Sequence, residues 1–330
     1  MRVALDQTLL ARLAAIVGDY RAGEIPPIDA ARIAHWIGQF PAPTQNPLLT
    51  ELAHVLQKTY FSKARVIGFA RNVVTNGPLT GSDPAAFWKS TKLLDVQADG
   101  NSQRDLLALF DAALKDKCSL CLAECGSNAP SRFVYVDDAL FSGGRIGADL
   151  RHWIETDAPA QGELIVIVIA CHAYGKWKTE MALNEAIAQS GKALTLKIRH
   201  AITYEDRKLY TDSSDVVRPA VVPADDHCAE YMVTLSWDPV FRSGSQVGAR
   251  QLFSGNEGRH LLEQEFMRQG VEVRKMCPDF DVYMRPLGRS MMPIMGFGSM
   301  VVTYRNCANN TPLVLWAGDP WYPLFPRKTN

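Results

Sequence analysis

Residues 133–145 run Phe133-Val134-Tyr135-Val136-Asp137-Asp138-Ala139-Leu140-Phe141-Ser142-Gly143-Gly144-Arg145. An apolar stretch delivers two adjacent carboxylates, and a Ser-Gly-Gly turn begins four residues after Asp138. Each part suits one end of a sugar phosphate. Asp137 and Asp138 can accept hydrogen bonds from a ribose cis-diol, and charge-assisted bonds of that kind are roughly twice as strong as neutral ones. Gly143 and Gly144 let backbone N–H groups come close to an anion and can take positive φ. The start of a following helix adds partial positive charge, so the N–H groups of Ser142, Gly143, Gly144 and Arg145 form a phosphate site. The competing reading is a pair of aspartates that closes a strand before an ordinary glycine turn.

The arrangement needs a scaffold that puts the acids at the carboxyl end of a strand in an open parallel sheet, where ligands bind in such folds. The pattern after residue 80 supplies one, because strands alternate with helices. The periodicity predicts strands at Leu93 to Gln97, Phe133 to Val136, Leu164 to Ala170 and Ala193 to Ile198. It predicts helices at Ser102 to Leu114, Arg145 to Glu155 and Thr179 to Gln189, and a further helix near Gly258 to Gln269. Elsewhere between about 201 and 300 the pattern is weak, and Pro and Gly beyond Pro278 predict loops and short strands.

Residues 1 to about 80 read as helical. Leu9, Leu10, Leu13 and Ile16 recur at helical spacing. Further helices are expected at Asp29 to Phe40, Leu48 to Tyr60 and Ser62 to Val74, forming a small bundle that exits at Asn76-Gly77-Pro78. The expected division is therefore a helical region over 1–80 and an α/β domain with an irregular C-terminal extension over 81–330.

The 330 residues exceed the usual single-domain size, and 47% apolar with 21% charged residues excludes a disordered chain. Lys+Arg and Asp+Glu are both 35, which argues against holding nucleic acid by bulk charge alone. The longest aliphatic run, Leu164 to Ala170, is far below the roughly 20 residues of a membrane span, so no membrane role is expected. Seven cysteines and no secretory segment point to a reducing, cytoplasmic setting.

Other residues compete for attention. Cys118, Cys121 and Cys125 share helical spacing but lack a fourth zinc ligand at a familiar spacing, so buried thiols in a packed helix are expected. Cys171-His172, with Lys176 and Lys178 beyond, ends a strand that should face the same crevice. His172 either touches ligand or is a satisfied loop histidine. Arg242, Arg250, Arg259, Arg268, Arg274, Arg285 and Arg289 enrich the C-terminal third and read as solvated surface or, alternatively, a nucleic-acid groove.

The segment from Phe133 to Arg145 resembles the phosphoribosyl pyrophosphate signature of type I phosphoribosyltransferases, in which an apolar strand, two acids, two mostly apolar residues and a Thr/Ser-Gly-Gly-Thr phosphate loop follow one another. Two positions depart from it: Phe141 replaces a usually polar residue, and Arg145 stands where a Thr hydroxyl usually meets the phosphate. The resemblance implies a pyrophosphate site in the loop after the first strand of the sheet. Gly100, Asn101 and Ser102 are the candidates, against the alternative of a plain helix N-cap at Asn101 or Ser102. It also implies Mg²⁺, held mainly by the phosphates of the ligand.

With the N-terminal Trp36-Ile37-Gly38-Gln39-Phe40 and the stretches Thr303 to Trp316 and Trp321 to Arg327, the chain resembles the phosphoribosyltransferase-like family associated with bacterial conflict systems. That resemblance implies an effector in retron-type antiphage defence, encoded beside a reverse transcriptase, with that enzyme and its RNA–DNA product as partners and phosphoribosyl pyrophosphate or a nucleotide as ligand. The alternative on the same fold is a subunit without turnover that senses nucleotides or docks a ribonucleoprotein. Self-association is compatible with either. Arg305, Asn306, Asn309 and Asn310 offer donors and acceptors for a base or acceptor, and Trp316 or Trp321 could stack on a base. Otherwise this stretch is a polar turn that locks the C-terminus in place.

Overall fold

The computed structural model describes residues 4–98, 100–244, 247–277, 279–290 and 295–328. The chain forms two compact units, one from Met1–Lys63 with Tyr204–Asn330 and the other from Ala64–Thr203. The first segment carries α1 (Gln7–Val17), α2 (Ala30–Ile37), α3 (Gln45–Thr59) and β1 (Tyr60–Phe61). The other unit then builds α4 (Lys63–Val74), α5 (Gly77–Thr80), α6 (Pro84–Lys89), β2 (Thr91–Leu93), α7 (Ser102–Cys118), β3 (Arg132–Leu140), α8 (Gly144–Thr156), β4 (Gln161–His172), α9 (Ala173–Ser190) and β5 (Ala193–Tyr204). The return segment adds α10 (Asp226–Val233), α11 (Asn256–Met276), β6 (Val302–Thr303) and α12 (Leu313–Trp316). The α/β alternation expected from the sequence is present.

In the unit of Ala64–Thr203 the sheet order is β2-β3-β4-β5. β2 and β4 both pair with β3 in parallel, and the register sets Phe133 against Leu164, Tyr135 against Val166 and Asp137 against Val168. Side chains alternate across the sheet. One face of β3 and β4 packs Phe133, Tyr135, Leu164, Val166 and Val168 against Ile146, Leu150, Trp153 and Ile154 of α8 and Leu183 and Ile187 of α9. Val134, Val136, Ile165 and Ile167 on the other face are also buried, so β3 and β4 carry near-continuous apolar runs, as parallel strands covered on both sides do. Truncating one such residue, for example Leu150→Ala, should cost about 2–5 kcal/mol.

The sheet departs from expectation at β2, which ends at Leu93 instead of running to Gln97. Leu94 still donates to Val134 O at 2.8 Å. The N–H groups of Val96 and Gln97 then turn away and donate to Gln103 Oε1, both at 2.9 Å. A side-chain amide takes these donors in place of a strand.

The bundle is also completed differently. α4 packs within the α/β unit, where Trp88 Nε1 donates to Val74 O at 2.9 Å and Phe69 meets Phe110 edge to face. In the other unit α3 packs against α1 and α11, and α2 against α1. The boundary near residue 80 is therefore not where the chain divides. Trp36 and Trp321 donate their indole N–H groups to the same carbonyl, Val314 O, at 2.7 and 2.9 Å. Gln39 and Tyr322 exchange two hydrogen bonds, each of 2.9 Å, and Tyr20 donates to Pro326 O. The C-terminal tail is thereby tied to α2 and to Tyr20 just beyond α1.

Two expectations about charged and thiol residues are corrected. Arg242 and Arg259 are not solvated: both guanidiniums are buried on Glu263, at 2.8 and 2.7 Å. Cys118, Cys121 and Cys125 do not share a helix face, because Ser119 takes a left-handed φ of 53° and ends α7. Cys121 instead starts a single 3-10 turn, its N–H donating to Glu124 Oε2 at 2.7 Å. None of the seven cysteines is in a disulfide. Among the described residues no helix is long and apolar enough to cross a membrane.

Candidate functional site

Asp137 and Asp138 lie inside β3, which continues to Leu140. Successive strand residues face opposite sides of a sheet, so the two acids do not stand side by side. Asp137 is 3% exposed, and its Oδ1 accepts the N–H of Asp138 at 2.8 Å. Burial pushes its carboxyl up to about 8, with the neighbouring charge of Asp138 adding to the rise. The Asp138 N–H, the Ser102 hydroxyl and the Arg145 charge pull the other way. Asp138 is half-buried.

Groups from both expected loops act on the charge of Asp137. Ser102 opens α7 directly after the loop that holds Gly100, and its hydroxyl favours the ionised carboxyl against the effect of burial. Arg145 stands in the first turn of α8 and is exposed, yet its charge favours the ionised forms of both Asp137 and Tyr135. The residue that departs from the Thr pattern thus reaches electrostatically to the acids.

The glycine turn is shaped as the sequence implies. Gly143 caps α8 with φ +71°, and Gly144 N–H donates to Ser142 Oγ at 3.3 Å. A Cβ on Gly175 would lie 1.7 Å from Phe141 O, so only glycine lets α9 approach the chain this closely. Ser142, Gly143 and Gly144 line a cleft of about 210 Å³ with Arg151 of α8 and Lys178 and Thr179 of α9. Asp137 and Asp138 are not in its wall. Arg151 was not singled out from the sequence, although it sits two turns beyond Gly144 on the same helix. That spacing is the signal that could have found it.

The loop after β2 is organised from outside the helix it precedes. Gly100 takes φ +92°, and Asp99 lies outside the described residues. Asn101 makes no side-chain cap. Gln97 Oε1 instead accepts the N–H of Gln103 at 3.0 Å, and Gln97 Nε2 donates to Ser102 Oγ at 2.9 Å. The plain N-cap expected at Asn101 or Ser102 is replaced by this glutamine clasp. A second tie runs through Asp149 on α8, which accepts from Tyr135 OH at 3.0 Å and from Ala98 N–H at 3.3 Å. Gln97, Gln103 and Asp149 were missed because an isolated Gln or helical Asp carries no pattern of its own.

The remaining candidates fall as follows. His172 ends β4, is buried, and meets Phe141 edge to face at 4.9 Å. Arg305, Asn306, Asn309 and Asn310 belong to the unit of Met1–Lys63 and Tyr204–Asn330, whereas the acids belong to the other. Asn306 Oδ1 accepts the N–H groups of Cys307 and Lys328, both at 3.0 Å, and Asn310 Oδ1 accepts that of Ser299 at 3.1 Å. Asn309 O accepts Arg289 N–H at 3.1 Å. Trp316 and Trp321 are buried with their indole N–H groups bound to Thr311 O and Val314 O, which leaves neither ring face open to a base.

Among the described residues no three His, Cys, Asp or Glu side chains are grouped to hold a metal ion.

No curated protein and no solved structure matches the chain. A family model does, over residues 33–327. With most of its length matched, and with an acid-bearing parallel strand running into a glycine turn, the chain belongs to PRTase-CE, a phosphoribosyltransferase-type family.

Proposed function

We propose that the α/β unit binds phosphoribosyl pyrophosphate, or a related ribose 5-phosphate ligand, and acts at its anomeric carbon. The observation that carries this reading is that β3, bearing Asp137 and Asp138, runs directly into the glycine turn that caps α8 and lines the cleft with Arg151 and Lys178. The loop after β2 is tied to the same strand and helix through Asp149, which accepts from Ala98 N–H and Tyr135 OH.

In this reading the N–H groups of Ser142 to Arg145 hold the 5′-phosphate, with Arg151 and Lys178 adding charge at the cleft. Asp138, more accessible than Asp137, accepts the ribose hydroxyls. The loop of Gly100, Asn101 and Ser102 faces the leaving pyrophosphate. When the bond from the anomeric carbon to pyrophosphate breaks, the electron pair leaves with pyrophosphate and positive charge develops on the sugar. Positioning and charge stabilisation then supply the catalysis, with little side-chain proton transfer. Mg²⁺ enters only with the phosphates of the ligand. Release of labelled pyrophosphate on incubation with phosphoribosyl pyrophosphate tests turnover, and absence of release would leave the binding role alone.

A second reading, a nucleotide-sensing or ribonucleoprotein-docking subunit without turnover, is favoured by Arg145. Its positive charge stands where the signature has a hydroxyl. For the cellular role we infer a cytoplasmic effector of a retron-type antiphage system, held by a reverse transcriptase and its RNA–DNA product. Family membership supports this reading. Co-purification of a reverse transcriptase encoded beside this chain tests it.

A further inference from the structure

The cleft at the glycine turn carries charge that a single phosphate leaves unused. Arg151 and Lys178 line it together with Ser142, Gly143 and Gly144, while Asp137 and Asp138 do not. Both cations are exposed, and among the described residues neither is in an ion pair. A Cβ on Gly147 would meet nothing within 4 Å, so the cleft is open at that point of α8. The outer face of α9 adds an aromatic pair. Tyr174 and Trp177 are 42% and 53% exposed with ring centroids 5.6 Å apart, and Met181 continues the stripe at 55%. The three stand at i, i+3 and i+7 and so share one helix face, and Lys178 lies one turn beyond Tyr174. The part of α9 that bears the pair is the part packed on the phosphate turn. A side chain on Gly175 would strike Phe141 O, and one on Gly143 would strike Thr179 Oγ1.

We propose that the 5′-phosphate at the glycine turn is continued as a diphosphate into a second nucleoside, whose base stacks on Trp177 and Tyr174. The inference rests on the ribose 5-phosphate reading given above and extends it by naming the other half of the ligand. A ribose 5-phosphate ends at the turn and leaves Arg151 and Lys178 without an anion. A second phosphate in the cleft meets both, since like charges lining a concave site concentrate the opposite charge there. The base then lies on an exposed aromatic face, where stacking suits any base. A nucleic-acid strand fits less well, because the basic track is short. Glu155 follows Arg151 on α8 and Glu185 follows Met181 on α9, each one turn on. The occupant is therefore a small dinucleotide of the ADP-ribose type.

Calorimetry of the full chain with two probes, ribose 5-phosphate and ADP-ribose, tests this. ADP-ribose should bind at least about tenfold more tightly than ribose 5-phosphate. Trp177→Ala should weaken ADP-ribose at least about fivefold, the low end of base–aromatic stacking, and leave ribose 5-phosphate unchanged. Arg151→Ala should weaken ADP-ribose more than ribose 5-phosphate. Both side chains are exposed, so the variants keep the fold. Equal affinity for the two probes, or an unaltered ADP-ribose affinity in Trp177→Ala, would overturn the inference while ribose 5-phosphate binding keeps the reading above in place. Binding of neither probe would overturn both. ADP-ribose binding that needs Trp177 but survives Asp138→Asn would uphold the dinucleotide site and contradict the ribose assignment. A single-stranded oligonucleotide that binds more tightly than ADP-ribose, or a dimer lost in Trp177→Ala, would give the aromatic stripe to another partner and overturn the proposal.

Discussion

Thr179 Oγ1 occupies the space where a side chain on Gly143 would begin: a Cβ there would lie 1.7 Å from it. The same hydroxyl donates to Gly175 O at 2.8 Å, so it is bonded in place and not free to swing aside. The phosphate turn is thereby fitted to α9, and its positive φ is enforced by packing as well as by its position ahead of α8.

Gly143→Ala should therefore be much worse than an alanine at another left-handed glycine. Gly191 has φ +69° with nothing within 4 Å of its Cβ position. Gly191→Ala should cost about 1–2 kcal/mol for the backbone alone. Gly143→Ala adds a steric clash and should cost at least about 2 kcal/mol more. Denaturant unfolding of the two variants measures the difference, and equal costs would mean that α9 yields freely.

The buried acid sets a pH dependence whose sign is fixed. Burial pushes the Asp137 carboxyl up to about 8 in the folded chain, above the ordinary carboxylate range of the unfolded chain. Between these limits the native state binds the extra proton, so stability falls as pH rises from about 4 to about 8. Asp137→Asn removes this contribution. The variant should gain on the wild type as pH increases through that window, with the advantage levelling off above about 8. Thermal unfolding across the range measures it, and a constant difference would place the Asp137 titration elsewhere.

Glu263 joins two buried guanidiniums, and burial pushes its carboxyl up against the pull of Arg259 and Arg242. Its Oε1 also accepts Arg218 N–H at 3.2 Å. Removing one member leaves uncompensated buried charge, so Glu263→Gln should destabilise the chain by about 3–5 kcal/mol. Denaturant unfolding tests this, and a change under about 1 kcal/mol would mean that water reaches the pair.

The sequence made the scaffold legible where burial alone decides. Leu164 to Ala170 could only be a covered strand, and Asp29, Ser62 and Pro78 bracket helices whose ends the structure places within a few residues. The glycine turn was readable because Gly143 must take positive φ. What escaped depends on side chains far apart in the chain. Trp88 and Phe110 pack α4 into the α/β unit, and no local pattern announces that. Gln97 caps α7 from five residues ahead of Ser102, a device that the cap residues Asn101-Ser102 give no hint of. Arg242 and Arg259 read as surface until Glu263, on the turn of α11 after Arg259, is seen between them. The two adjacent acids looked like one clamp, although the alternation of a strand that continues to Leu140 separates their faces.

In the proposed function a ribose 5-phosphate ligand is gripped by Asp138 and the glycine turn. Calorimetric titration of the wild type and of Asp138→Asn with phosphoribosyl pyrophosphate and Mg²⁺ measures it directly. Saturable binding by the wild type is expected, with its abolition in Asp138→Asn and unfolding behaviour unchanged. Equal affinity in the two proteins would contradict it.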